Sequence, residues 1–167
     1  MRTTGIVTDS HSGISQGEAQ KLGIFVLPMP FYMNETCYYE GVNITRAEFL
    51  ERLGRLENIS TSQPSPEAVM ELWDKALEIY QDILYIPISS GLSGSCQTAM
   101  MLAREEKYEG KVYVVDNGSV ATPLHQSLLD NWLHFTVATF HVHHHSDGHT
   151  ACNPFFGRSS SVAYRRP

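Results

Sequence analysis

Over the first 117 residues, short apolar runs alternate with segments whose apolar positions recur at helical spacing. Gly5-Ile-Val-Thr-Asp9 reads as a short strand that ends in an acidic residue and a turn, Ser10-His-Ser-Gly13. Ser15 to Leu22 has helical spacing, closed by Gly23 in the C-cap place, and Ile24-Phe-Val-Leu27 is a second buried strand ended by Pro28 and Pro30. Phe31-Tyr-Met33 and Thr36-Cys-Tyr-Tyr39 flank Asn34-Glu35, which predicts a hairpin with a two-residue turn. Thr45-Arg-Ala-Glu48 is a capping box that opens a helix to about Leu53. Ser65-Pro66-Glu67 starts a long amphipathic helix to about Tyr80, with Pro66 at the first helical position, where its missing N–H costs nothing. Asp82 to Ile88 is the central strand. It breaks into Ser89-Ser-Gly-Leu-Ser-Gly94 and a helix from about Ser93 to Glu106, and Lys111 to Asp116 is a further strand, also ending in Asp. The alternation implies an α/β fold: a mostly parallel sheet with helices on both faces.

This pattern singles out three places with chemistry. In open α/β sheets the carboxyl ends of strands face the ligand crevice, which makes Asp9 and Ser10 site candidates; the alternative for them is an Asx turn. The Ser/Gly turn after Ile88 presents the hydroxyls of Ser90 and Ser93, free backbone N–H groups and the positive end of a helix dipole, a combination suited to a carboxylate or phosphate. Its alternative is a helix cap made by Ser90 or Ser93. Ser60, Thr61, Ser62 and Gln63 carry hydroxyl and amide groups that the next helix start does not need, and they read otherwise as a solvated loop.

Other chemistries fit less well. Gly91-Leu-Ser-Gly-Ser95 approximates the G-x-S-x-G nucleophile elbow but has Ser95 at the last position, and His11 is the only histidine before position 125 to serve as a base. Neither G-x-x-x-x-G-K-S/T nor G-x-G-x-x-G occurs. His141-Val-His-His-His145, His149 and Cys152 are a transition-metal option whose alternative is an adventitious cluster.

Composition adds limits. A chain of 167 residues with 42% hydrophobic content supports one domain with a sizeable core. No apolar run reaches the roughly 18 residues of a membrane span, and Met1-Arg-Thr-Thr-Gly5 lacks a signal-peptide pattern, so the expected location is cytoplasmic, without membrane insertion. Cys37, Cys96 and Cys152 support neither a disulfide framework nor a zinc ribbon. A net charge of −6 with no basic cluster argues against a nucleic-acid partner. Residues 1–117 hold sixteen acidic and nine basic side chains, whereas 118–167 hold two and three, along with seven of the eight histidines. Residues 153–167 lack a periodic apolar face, which predicts a poorly ordered, irregular tail.

With Asp9-Ser10, Gly41-Val-Asn-Ile-Thr45, Thr61-Ser-Gln-Pro-Ser65, Ile88-Ser-Ser-Gly-Leu-Ser-Gly94 and Val114-Val-Asp116 in this order, the chain resembles the DegV family up to about Ser127. The resemblance implies a bacterial fatty-acid-binding protein that encloses the acyl chain in an apolar tunnel and needs no cofactor. Some members present the bound acid to a fatty acid kinase. Carried over by motif, Thr61 and Ser93 hydrogen-bond the carboxylate of a long-chain fatty acid, with Ser62 and Gly94 adjoining. Ser95, Cys96 and Asn117-Gly118 depart mildly from the family pattern. The larger departure is length, because members have a second α/β domain, and none of His141 to His149 can be equated with its histidine. The expected organisation is therefore a DegV-like N-terminal domain over 1–125 and an unmatched, poorly ordered tail over 126–167. The tail is expected to be a frame-shifted or otherwise aberrant reading of a gene for the two-domain protein, and a genuine lineage-specific tail is the alternative. The rival functional readings are a serine hydrolase using Ser93 and a non-functional fragment with an exposed apolar face.

Overall fold

The computed structural model describes residues 4–55 and 58–137, with residues 131–137 described as backbone alone. Four strands form a parallel sheet in the order β2-β1-β6-β7: β1 (Thr4–Asp9), β2 (Ile24–Leu27), β6 (Asp82–Ile86) and β7 (Val112–Val114). The period-2 alternation of side chains sends each strand's apolar residues to both faces, which is why these runs are continuously hydrophobic. On one face Val7, Leu27, Ile83 and Tyr85 pack with Val69, Trp73 and Ala76 of α3 (Pro66–Leu77) and with Ala99 and Leu102 of α4 (Ser95–Leu102). Trp73 is fully buried there, its ring edge-on to Tyr85 at 5.6 Å and to Tyr108 at 5.3 Å. On the other face Ile6, Ile24, Val26 and Ile86 meet Ala19 of α1 (Gln16–Leu22) and Leu124 and Leu128 of α5 (Ala121–Val137). Helices thus cover both faces, as the pattern predicts.

Local signals hold where they are self-contained. Ser15, Thr45 and Ser65 each accept a hydrogen bond from an amide in the first turn of α1, α2 (Arg46–Gly54) and α3, and the Thr45–Glu48 capping box is complete. Gly23 ends α1 in the left-handed region with φ 67°, a conformation that favours glycine.

Four features differ from the sequence reading. Ile59–Thr61 is a strand, β5, and pairs antiparallel with β3 (Pro30–Met33), which also pairs with β4 (Thr36–Tyr39). The predicted hairpin is therefore part of a three-stranded sheet, β4-β3-β5. A three-residue polar strand carries no periodicity, and its partner fixes it. Pro30 opens β3 instead of only ending β2, its carbonyl accepting from Ser62 N at 3.3 Å. Helix α4 is shorter than the expected 93–106 span. Helix α5 crosses the 125/126 division and puts Leu124 and Leu128 into the core on either side of it. Residues 126–137, expected to be irregular tail, continue α5, while the rest of the expected tail, with the histidine cluster at 141–149 and Cys152, lies outside the described residues.

Candidate functional site

The sheet order reverses direction between β1 and β6, and ligand crevices of open α/β sheets lie outside the carboxyl ends of strands at such a switch point. Asp9 closes β1 there, fully buried. Its Oδ2 accepts from Ile88 N at 2.7 Å, and its Oδ1 accepts from His11 N at 3.0 Å and lies 3.3 Å from His11 Nδ1. Thr8 Oγ1 donates to Ile86 O at 2.7 Å, and Ser10 Oγ accepts from Met29 N at 3.1 Å. These groups stitch β1 to the segment after β6 and to the residues after β2. Asp9 and Ser10 are thus fasteners beneath the crevice, their polar atoms engaged by backbone.

The Ser/Gly turn is hydrogen-bonded almost throughout. Ser89 N donates to Ser119 O, Ser90 N to the Asp116 carboxylate, Gly91 N to Ser89 Oγ, and Leu92 N and Ser93 N to Ser89 O. With Ile88 N held by Asp9, the amides from Ile88 to Ser93 are all engaged internally. The turn does not offer the row of free N–H groups that its sequence suggests, because two carboxylates, Asp9 and Asp116, and two serines, Ser89 and Ser119, collect them. What remains open is the start of α4. Its N-cap is Gly94 at φ −69°, and no side chain caps it. Ser93 Oγ accepts from Ser95 N at 3.2 Å, a bond that orients the hydroxyl and leaves its O–H free to donate.

The segment from Thr61 to Pro64 lies against this helix start. Gln63 Oε1 accepts from Thr98 Oγ1 at 3.4 Å and sits 3.4 Å from where a Cβ on Gly94 would be. Thr61, at the end of β5 opposite Phe31, is exposed, and Ser62 Oγ donates to Gln63 O at 3.1 Å. The structure therefore brings Gln63, two residues after Thr61, against Gly94, the neighbour of Ser93, with Ser90 on the same turn. Asp9 and Ser10 support them from below. Sequence reasoning missed Gln63 as the link and Asp116 as the clasp. For Asp116 the signal was its place at a strand's carboxyl end, matching that of Asp9.

The turn and the Thr61–Gln63 stretch are open to solvent, whereas the groups beneath them are buried. Burial, followed by the Asp116 and Asp9 carboxylates, pushes the Cys96 thiol up to about 11, so it is protonated and unreactive at neutral pH. Burial, with Asp9 nearby, also holds the Tyr85 phenol well above its ordinary value. The described imidazoles of His11 and His125 face Asp9 and Glu18 respectively. The hydrolase reading thus has no described base on Ser93. No group of three or more His, Cys, Asp or Glu among the described residues could hold a metal ion, and no helix among them is long and apolar enough to cross a membrane. An open cleft of about 760 Å³ lined by Asp74, Ile79, Tyr80, Lys107 and Lys111 lies at the amino ends of the strands, away from this site.

A parallel sheet covered on both faces by helices defines an open α/β domain. A family model described as "uncharacterised protein, DegV family" matches residues 3–129, and the chain belongs to the DegV family. A DegV domain-containing protein of Caldanaerobacter subterraneus subsp. tengcongensis is 32% identical over 117 residues, which are 70% of this chain and 41% of that protein. One from Deinococcus radiodurans is 33% identical over 120 residues, 71% of this chain and 42% of its own. Among solved structures, a fatty-acid-binding DegV family protein from Thermus thermophilus superposes with a TM-score of 0.74 at 28% identity, covering 83% of this chain and 49% of that one. A stearic acid-binding protein from Eubacterium ventriosum shares the fold, with a TM-score of 0.70 at 23% identity over 80% of this chain and 47% of its own. The chain spans about two fifths of the length of these curated relatives and about half that of these solved chains.

Proposed function

We propose that this domain binds a long-chain fatty acid, with Thr61 and Ser93 holding the carboxylate and Ser62 and Gly94 adjoining it. The observation that carries the reading is the contact of Gln63 with Gly94 and Thr98, which makes neighbours of two hydroxyl-bearing segments far apart in the chain. The resemblance in fold and sequence to the Thermus thermophilus fatty-acid-binding protein supports the same ligand. A carboxylate is costly to remove from water, and two hydroxyl donors at a helix N-terminus offset that cost, at about 1.5–3 kcal/mol for each hydrogen bond to the charged group. That Ser93 Oγ engages a backbone amide instead of an imidazole supports a carrier over a hydrolase. In this reading the protein is cytoplasmic and presents the acid's head group to a fatty acid kinase. The test is mass spectrometry of lipid co-purified with the folded chain, together with oleate titration of Thr61→Val and Ser93→Ala. An acyl chain should be recovered, and each variant should weaken binding about 10- to 100-fold. A folded protein that carries no acyl chain and does not bind oleate would overturn the reading.

A further inference from the structure

One polar group near the site whose role the bonds above do not explain is Ser95. It is 4% exposed, and its Oγ has no hydrogen-bond partner among the described residues. A buried hydroxyl with no partner carries its full desolvation penalty, and native proteins hold few such groups. Ser95 is also the first residue of α4, an eight-residue helix that no side chain caps, whereas Ser15, Thr45 and Ser65 cap α1, α2 and α3. The amides of Cys96 and Gln97 in that first turn have no acceptor inside the helix. An unpartnered hydroxyl and an uncapped helix start thus coincide one residue beyond Gly94, where Ser95 N already bonds Ser93 Oγ. The nearby carboxylates are turned to other partners, Asp9 to Ile88 N and His11 N, Asp116 to Ser90 N and Gly118 N.

From this coincidence we infer that Ser95 is a third hydroxyl for the ligand carboxylate, donating alongside Ser93 while the first turn of α4 supplies its dipole. The inference rests on the fatty-acid reading above and extends it to a residue that the motif does not assign. It has a signature that a purely structural serine lacks. Removing an unpartnered hydroxyl relieves the empty protein, yet removes a donor from the loaded one.

The experiment compares wild type, Ser93→Ala, Ser95→Ala and Ser95→Thr, measuring thermal midpoint without ligand and affinity for oleate and for oleyl alcohol, which lacks the carboxylate. Ser95→Ala should leave the ligand-free midpoint unchanged or raise it by about 2–5 °C while weakening oleate about tenfold. Its oleyl alcohol affinity should stay within about twofold of wild type, and Ser95→Thr, which restores the donor, should recover oleate binding. Oleate binding at wild-type strength in Ser95→Ala, with Ser93→Ala weakened, overturns the role of Ser95 and leaves the fatty-acid reading standing. A drop in the ligand-free midpoint of Ser95→Ala, with oleate and oleyl alcohol weakened equally, makes Ser95 structural and also overturns it. No oleate binding by folded wild type overturns both.

Discussion

Replacing Asp9 by asparagine tests whether this residue is a fastener or a ligand contact. The substitution preserves shape but leaves one accepting oxygen in place of two. In the wild type both oxygens are used, Oδ2 by Ile88 N at 2.7 Å and Oδ1 by His11 N at 3.0 Å, so in either orientation of the amide one N–H faces an NH2 group. The less costly orientation keeps the oxygen on Ile88 N, which is buried, and turns the NH2 toward His11 N, which is only partly so. With about 1.5–3 kcal/mol for a lost hydrogen bond to a charged group and a further penalty for an unsatisfied amide, Asp9→Asn should destabilise the domain by about 2–4 kcal/mol. Asp9→Ala, which strands both amides and leaves a cavity, should cost about 4–5 kcal/mol. For a domain of this size the asparagine variant should melt about 10 °C lower. Urea unfolding by circular dichroism gives the free energy, and thermal melts give the shift. An Asp9→Asn protein within about 0.5 kcal/mol of wild type would rule out the fastening role of Asp9. So would an unchanged melting point with lost oleate affinity, since that places Asp9 on the ligand.

Three further outcomes follow from other parts of the molecule. A Cβ on Gly5 would meet Tyr80 Cδ2 at 2.5 Å and Cγ at 2.8 Å, so Gly5→Ala must displace a ring that lies edge-on to Phe25 and donates to Gly23 O. The cost should be about 1–3 kcal/mol in urea unfolding and should largely vanish in a Tyr80→Leu background; equal costs in both backgrounds would rule out the clash. Cys96, raised from 9.0 to about 11 in the folded chain, keeps its proton between those values while the unfolded chain loses it. Its contribution is full below pH 9 and disappears as pH rises toward 11, about 2–3 kcal/mol in all, and Cys96→Ala should flatten that part of the stability profile. At pH 8 iodoacetamide should label Cys96 in guanidinium but not in the native state, read by peptide mass spectrometry. Thr45→Ala removes the cap of α2, a helix with no buried residue, so the loss should be local: about fivefold less hydrogen-exchange protection in that helix and no change in global unfolding.

Much of the architecture was legible because it is written in short-range chemistry. The caps at Ser15, Thr45 and Ser65, the glycine that ends α1 and the hairpin turn each depend on a few adjacent residues, and the continuous apolar runs of β1, β2 and β6 already imply a sheet buried on both faces. The motif order placed Thr61 and Ser93 as candidates on the same footing. Strand β5 escaped notice because Ile59-Ser-Thr61 acquires its identity only from pairing with β3.

Residue order alone says which segments carry hydroxyls and which strands end in carboxylates. Which partners those groups bind depends on how the chain packs. Asp9 looked like a ligand contact, and a pairing 79 residues away in the chain made it the anchor of the turn. The turn looked rich in free amides, and Asp9, Asp116, Ser89 and Ser119 took them up, leaving the start of α4 as the uncapped end. Hydrogen bonds of that kind join residues that share no local pattern, so their geometry exists only once the sheet has brought the strand ends together.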